Sequence, residues 1–246
     1  MSETRSIKIP PYQYIHVLDR NSNVTRLEQG PQTFIRQDHE KVVTGDVPLK
    51  MIIIPPRHYC EISDPVIMDK DGNPVLDKYG QVVVRHGEVE IRFHEKYPEP
   101  FPLYPGEKLK IKPTPLIVVK ENTALRIEAV RNFSELDEKT KKEKKHLAGD
   151  EWLFYGPNTY YPRVEERIVA VVNALVINEQ QALKLRARQD FVDRTGTPRR
   201  TGEEWLIRTV GSYLPEINEI VVTTLNPYTL TSQTAIQLRA TRNFKD

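Results

Sequence analysis

Cysteine occurs once in the 246 residues, at Cys60, which excludes an intrachain disulfide framework and fits a reducing compartment. Long hydrophobic runs are missing as well. The longest, Ile168–Ile177, has ten residues and is broken by Asn173, too short to cross a bilayer as a helix. The opening M-S-E-T-R-S-I-K-I-P-P has no apolar core of the kind a secretory signal needs. Charge of one sign is not in excess: 36 basic against 34 acidic residues leave +2, so nothing in the total argues for a nucleic-acid polyelectrolyte as partner. A hydrophobic content of 38% is lean for one large globule and suits small modules with thin cores.

Catalytic and ligand motifs are scarce. No G-x-x-x-x-G-K-[ST], G-x-G-x-x-G or G-x-S-x-G occurs, so phosphate loops and nucleophile elbows have no support. The six histidines (His16, His39, His58, His86, His94, His146) form no H-x-x-x-H pair and meet no C-x-x-C, so no zinc site is expected. His58 and Cys60 share a strand face, which a Cys/His dyad would need, but a small buried thiol is the preferred reading. Asp69-Lys-Asp-Gly-Asn and Asp19-Arg-Asn-Ser-Asn have part of a calcium-loop pattern and lack its glycine position and closing acid, and the segment from Asp193 to Glu204 has Thr195 and Thr197 as its middle ligands; turns are expected at all three. No catalytic residue, cofactor or metal is assigned.

What the chain does contain is repetition. Thr123–Phe133 (T-A-L-R-I-E-A-V-R-N-F), Gln181–Phe191 (Q-A-L-K-L-R-A-R-Q-D-F) and Thr234–Phe244 (T-A-I-Q-L-R-A-T-R-N-F) are near copies, their closing phenylalanines 58 and 53 residues apart. A period of this size means an array of similar units. Apolar residues alternate in each copy: Leu125, Ile127 and Ala129 oppose Arg126 and Glu128, and Leu183, Leu185 and Ala187 oppose Lys184, Arg186 and Arg188. Period two predicts strands with one buried face. Ala148–Leu153 (A-G-D-E-W-L) recurs as Thr201–Leu206 (T-G-E-E-W-L), its acidic pair expected to fix a turn and Trp152 and Trp205 to plug a core. Gly156–Pro162 recurs as Val210–Pro215, with echoes at Gly30–Arg36 and Pro100–Glu107; Ile9–Tyr14 and Ile54–Tyr59 share I-P-P.

The fold class expected is therefore all-β, a tandem array of small antiparallel sheet modules of about 55 residues, near the lower limit for independent stability. The landmarks set units at 1–54, 55–112, 113–166, 167–219 and a partial fifth at 220–246. The fifth has the strand ending at Phe244 and no G-x-E-W element, so the chain is expected to be a fragment of a longer array. The Asp69–Asp77 segment, with its D-G turn, reads as a hairpin insertion. Lysine-rich Ser134–Leu147 reads as a solvated loop or frayed helical turn, without the interleaved aromatics that RNA stacking would use.

The G-[DE]-E-W-L elements, the [TQ]-A-[LI]-x-[LI]-x-A strands, the Y-x-P elements, the opening I-P-P-Y-Q-Y-I-H-V-L-D-R-N-S-N-V, P-P-R-H-Y-C and F-P-L-Y-P-G-E together resemble the major vault protein family across essentially the whole chain. The resemblance implies vault repeats from the amino-terminal part of a structural shell subunit. In that family many copies stand side by side as the wall of a barrel-shaped cytoplasmic ribonucleoprotein particle, also placed in the nucleus, with amino-terminal ends meeting at the waist. The partners it implies are other copies of the chain, a vault poly(ADP-ribose) polymerase, and a telomerase-associated protein and vault RNA at particle level, with no membrane. The Ser134–Leu147 insertion departs from the family pattern and is expected to be specific to this sequence. A short charged end needs pairing across a dyad, which makes Glu3, Arg5, Ile7, Asp38 and Lys41 the self-association candidates. The alternative, from another class, is a monomeric β-repeat module that recruits a protein or RNA; an enzyme stands behind both.

Overall fold

The computed structural model describes residues 6–45, 47–136 and 143–239. Every regular element among them is a strand. The first segment holds β1 (Ser6–Ile9), β2 (Gln13–Asp19), β3 (Val24–Gln29), β4 (Gln32–Ile35), β5 (Glu40–Val42) and β6 (Leu49–Lys50). β7 (His58–Ser63), β8 (Val89–Phe93) and β9 (Lys108–Pro115) follow. Next come β10 (Ile117–Val119), β11 (Thr123–Ala129), β12 (Phe133–Leu136), β13 (Glu143–His146), β14 (Glu151–Tyr155), β15 (Asn158–Tyr160) and β16 (Glu166–Asn173). The last group is β17 (Leu175–Ile177), β18 (Ala182–Ala187), β19 (Phe191–Val192), β20 (Pro198–Arg199), β21 (Glu204–Ile207), β22 (Gly211–Tyr213) and β23 (Glu219–Leu225).

One plan recurs. A central strand is flanked by two strands that come later in the chain: β3-β2-β5, β8-β7-β9, β14-β11-β16 and β21-β18-β23, with β6 also on β2. The central strands are the ones whose alternation is strongest. Ile15 and Val17, Cys60 and Ile62, Leu125 and Ile127, and Leu183 and Leu185 are their inward residues, and all are buried. The Gln181 and Thr123 copies of the repeated strand thus supply β18 and β11, and Gln13–Asp19 and His58–Ser63 take the same place without the A-L-x-L signature.

The chain divides into two compact units, Met1–Val118 with Ala129–Leu147 and Thr159–Arg167, and Val119–Glu128 with Ala148–Asn158 and Ile168–Asp246. In the first unit, Ile9, Ile15, Val17 and Phe34 form one small core, with Ile7 and Val42 against it. Ile54, Cys60 and Ile62 form another, joined by Tyr97, Phe101, Leu103 and Leu109. In the second unit, Ile177, Leu183, Leu185, Ala187, Trp205 and Tyr213 form a core with Phe191 tilted on Trp205 at 6.1 Å.

Each central strand opens from a tight turn. Gln13 N–H donates to Pro10 O, His58 to Pro55 O, Thr123 to Lys120 O and Gln181 to Asn178 O. Tyr12, Arg57 and Asn122 sit in these turns in the left-handed region, at φ 59°, 62° and 58°. That conformation is costly for a non-glycine residue and persists because its carbonyl is held from outside. Met51 N–H donates to Tyr12 O, Leu116 to Arg57 O and Ala174 to Asn122 O, at 2.8, 2.8 and 2.9 Å. Four residues before the next turn begins in each case, these amides hook one segment onto the preceding one. The equivalent place after Gln180 is Pro227, which has no N–H to give.

Several expectations are corrected. Ser134–Leu147 is neither loop nor helical turn at its ends: β12 and β13 pair antiparallel, Phe133 opposite His146, and the two rings stack at 4.8 Å. The stacked base, reinforced by the Arg163 guanidinium over Phe133, makes a hairpin more favourable than a helical turn. The tip, residues 137–142, lies outside the described residues. Asp69–Asp77 is not one hairpin but two like turns. Asp69 Oδ1 accepts from Asp71 and Asn73 N–H, Asp77 Oδ1 from Tyr79 and Gln81 N–H, and the flanks touch by single bridges. Residues 234–239 are not a strand. β11 and β18 each pair with two strands that follow them, and among the described residues Thr234–Arg239 has no such partner; a strand without partners has no ladder to hold it. The turn itself survives, with Thr234 N–H on Thr231 O at 3.1 Å. Residues 240–246 lie outside the described residues.

Candidate functional site

Among the described residues no group of three or more His, Cys, Asp or Glu could hold a metal. Cys60 is buried in β7, and burial pushes its thiol up to about 11, away from nucleophile chemistry. The arrangements that recur with the modules are ionic, and they decide which surfaces remain for a partner.

The first is a glutamate latch. Glu40, Glu107, Glu166 and Glu219 each close a four-residue turn, their N–H donating to Gln37, Tyr104, Arg163 and Glu216 O. Three of these carboxylates accept back from the turn's first amide: Glu40 from Gln37, Glu107 from Tyr104 and Glu219 from Glu216, at 2.8 to 2.9 Å. An aromatic residue stands six places before each glutamate: Phe34, Phe101, Tyr160 and Tyr213. Where it is tyrosine, its hydroxyl donates to the carboxylate, Tyr160 to Glu166 at 2.6 Å and Tyr213 to Glu219 at 2.7 Å. Where it is phenylalanine, an arginine does this work: Arg26 to Glu40 at 2.6 Å and Arg92 to Glu107 at 2.5 Å. Burial raises the Tyr213 phenol, and the neighbouring Glu219 carboxylate raises it further. Burial works against the Glu40 carboxylate, yet the Gln37 amide and Arg26 hold it below the usual range. For Glu166 burial wins, and its carboxyl is raised despite Tyr160 and Arg163.

The second arrangement is a set of charges across the outward strand faces. Arg126 Nε donates to Glu151 at 3.0 Å, and Arg188 reaches the same carboxylate oxygen at 3.0 Å. Lys184 and Arg186 both bind Glu204 at 2.6 Å. Glu151 and Glu204 therefore neutralise outward basic residues within the chain instead of fixing a turn, whereas Glu203 does fix one, accepting from Arg200 N–H at 3.1 Å. Trp205 plugs its core as expected; Trp152 is half-buried.

A third arrangement makes the fourth segment sensitive to acid. Asp193 Oδ1 accepts from the Thr195 hydroxyl and amide and the Thr197 amide, and Oδ2 from Arg199 Nε. The Thr195 hydroxyl first, then the other donors, lower this carboxyl to about 2. A depressed folded pKa contributes stability that is present above the unfolded value and lost as pH falls through the folded one. Denaturant titrations between pH 5 and 2 should show a loss of stability (on the order of one to three pH units wide) that Asp193→Asn flattens.

The sequence-derived contact residues are not one cluster. Glu3 and Arg5 lie outside the described residues. Ile7 is half-buried in β1, opposite Phe34, and packs on the first core, so only part of it faces outward. Asp38 and Lys41 are exposed on either side of buried Glu40, Asp38 in the latch turn and Lys41 opposite Leu18 in β5. The latch glutamates escaped the sequence reading. The signal was an aromatic-x-x-x-x-x-Glu spacing that runs beyond the Gly156–Pro162 and Val210–Pro215 elements.

Two family profiles, both described as the major vault protein repeat domain, match the chain, one over residues 51–112 and one over residues 117–163 and 175–216. The chain belongs to the major vault protein repeat family. It is 54% identical over 240 residues to major vault protein beta of Dictyostelium discoideum, covering 98% of this chain and 28% of that protein. It is 51% identical over 240 residues to the major vault protein of Homo sapiens, covering 98% and 26%. To that of Mus musculus it is 50% identical over 245 residues, covering 100% and 27%. The chain thus spans about a quarter of the length of the curated relatives it matches. Both profiles fall on the strand groups described above.

Proposed function

We propose that this chain is the amino-terminal repeat region of a structural shell subunit of the vault particle. Its repeats form the barrel wall by side-by-side association of copies, its amino-terminal end lies at the waist, and it has no catalysis of its own. The observation that supports this is the recurrence of one sheet plan, one turn and one glutamate latch in successive segments of a vault-repeat chain. A repeated framework with its ionic groups neutralised internally makes a wall element, not a single reactive centre. Thin cores and open sheet edges gain from lateral packing on a neighbour. The same reading makes the cytoplasm the main location, with the nucleus as a second, and the vault poly(ADP-ribose) polymerase, the telomerase-associated protein and vault RNA the partners of the assembled particle.

Electron microscopy of the full-length protein tests the proposal: barrels support it, and beads on a string favour a monomeric recruiting module. At the waist, the contact is proposed for Glu3, Arg5, Ile7, Asp38 and Lys41. Reversing Asp38 and Lys41 together should increase the fraction of half-particles at low salt and change its salt dependence, since exposed pairs are screened within about 10 Å. Particles that stay whole at low and high salt would remove these residues from the waist.

A further inference from the structure

The second sheet differs from the others in where its charge lies. β9 is an outer strand of β8-β7-β9, and Lys108, Lys110 and Lys112 alternate along it as exposed residues while Leu109 and Ile111 turn inward. Lys110 falls at an irregularity in the ladder, between Leu109 opposite Ile62 and Ile111 opposite Glu61, and its Nζ lies 3.1 Å from Glu61. Lys108 and Lys112 have no ion pair among the described residues, unlike Arg126, Lys184, Arg186 and Arg188. The corresponding outward positions after the latch glutamate are Arg167, Val169 and Val171 in β16 and Ile220, Val222 and Thr224 in β23, so one basic residue at most stands where the second sheet has three. Among the described residues, only the second sheet carries a row of three lysines on this edge.

The opposite edge of the same sheet is acidic. Glu88 is exposed just before β8, next to Val89, the residue that Ser63 sets level with Lys108. Glu95 and Glu99 are exposed just past the other end of β8 and have no ion pair among the described residues. The basic groups on that flank are Arg85, which binds Glu88 at 3.1 Å and Glu90 at 2.7 Å, and Lys96.

We infer that the β9 edge of the second sheet docks against the β8 edge of the same sheet in a second copy of the chain, the lysine row selecting this head-to-tail contact. The inference rests on the wall reading above and names the edges that meet. Two β9 edges brought together by a two-fold axis set like charges opposite each other, which disfavours that pairing. A basic edge against an acidic edge is attractive, and because the two patches differ, each copy keeps one of each free for the next neighbour. Contacts of that kind close into a ring or continue as a row, as a wall requires. The proline pair Pro113 and Pro115 removes two N–H groups from β9, so side chains and not an extended backbone ladder carry the contact.

The test uses two exposed-edge variants of this chain, Lys108→Glu with Lys112→Glu and Glu88→Lys with Glu95→Lys, their fold checked by circular dichroism. Sedimentation velocity at low salt should show each variant alone associating roughly tenfold more weakly than the parent. An equimolar mixture, acidic edges against basic edges, should return to within about twofold of the parent. Variants that associate like the parent, a mixture that does not recover, or a parent that stays monomeric each overturn the inference. Full-length barrels that form despite either result leave the wall reading intact, and edge contact in a protein that forms no barrel overturns that reading alone.

Discussion

Replacing Arg92 with alanine is expected to destabilise the chain by roughly 3–5 kcal/mol, the cost of leaving a buried charge without its partner. Arg92 is 3% exposed and the Glu107 side chain 0%. Its guanidinium binds Glu107 at 2.5 Å and Glu90 at 3.1 Å and lies over the rings of Tyr97 and Phe101 at 5.2 and 5.1 Å. Burial disfavours the charged arginine, but Glu107 and Glu90 more than offset this and raise its pKa. Glu107 in turn accepts from the Val66 and Tyr104 amides, so it cannot leave without orphaning two N–H groups. An apolar pair at these positions is therefore no remedy. Arg26→Ala makes the comparison: Arg26 is 41% exposed, water can approach Glu40 when it is gone, and about 1 kcal/mol is expected. Urea unfolding of both variants checks the difference; equal losses would show that burial of the pair does not matter.

The second large effect is at Gly30. A Cβ there would lie 1.9 Å from Pro10 O and 2.6 Å from Ile9 O, both main-chain atoms of the turn that opens β2. Gly30 N–H also donates to Gln13 O at 2.9 Å, so the backbone cannot swing away without losing that bond. Gly30→Ala should cost about 3 kcal/mol or more, since no flexible side chain is there to give way. Gly156→Ala should behave alike, its Cβ falling 2.0 Å from Lys120 O in the equivalent turn. Gly202→Ala is the control, with open space around it and only a left-handed φ of 80° to penalise alanine by roughly 1 kcal/mol. Thermal unfolding of the three variants ranks them; a Gly30 variant as stable as the Gly202 variant would mean the turn is free to shift.

The strands were legible where local pattern carries the information. Leu125-x-Ile127-x-Ala129 and Leu183-x-Leu185-x-Ala187 alternate because a half-buried strand needs one wet face, and both became central strands. Gln13–Asp19 and His58–Ser63 fill the same place without the A-L-x-L signature, so their equivalence is visible only in the pairing. The Ser134–Leu147 hairpin was hidden because its base is held by a ring stack between Phe133 and His146, residues thirteen apart with nothing local to link them. The self-association residues were read from charge near one end of the chain, which says nothing about burial, and Ile7 turned out to pack on a core.

The sequence by itself determined an all-strand array with a period and thin cores, because alternation and repetition are properties of neighbouring residues. The tertiary structure alone decided that buried glutamates latch the turns. Glu107 looks like any charged residue until β8 brings Arg92 against it, fifteen positions away. It also decided which charges are free for a partner. Arg126, Lys184 and Arg186 are neutralised by glutamates on adjacent strands and Arg188 by Glu151 of another sheet, whereas Lys108 and Lys112 are left at an edge. Net charge and composition do not record that distinction, since it depends on which strands lie side by side.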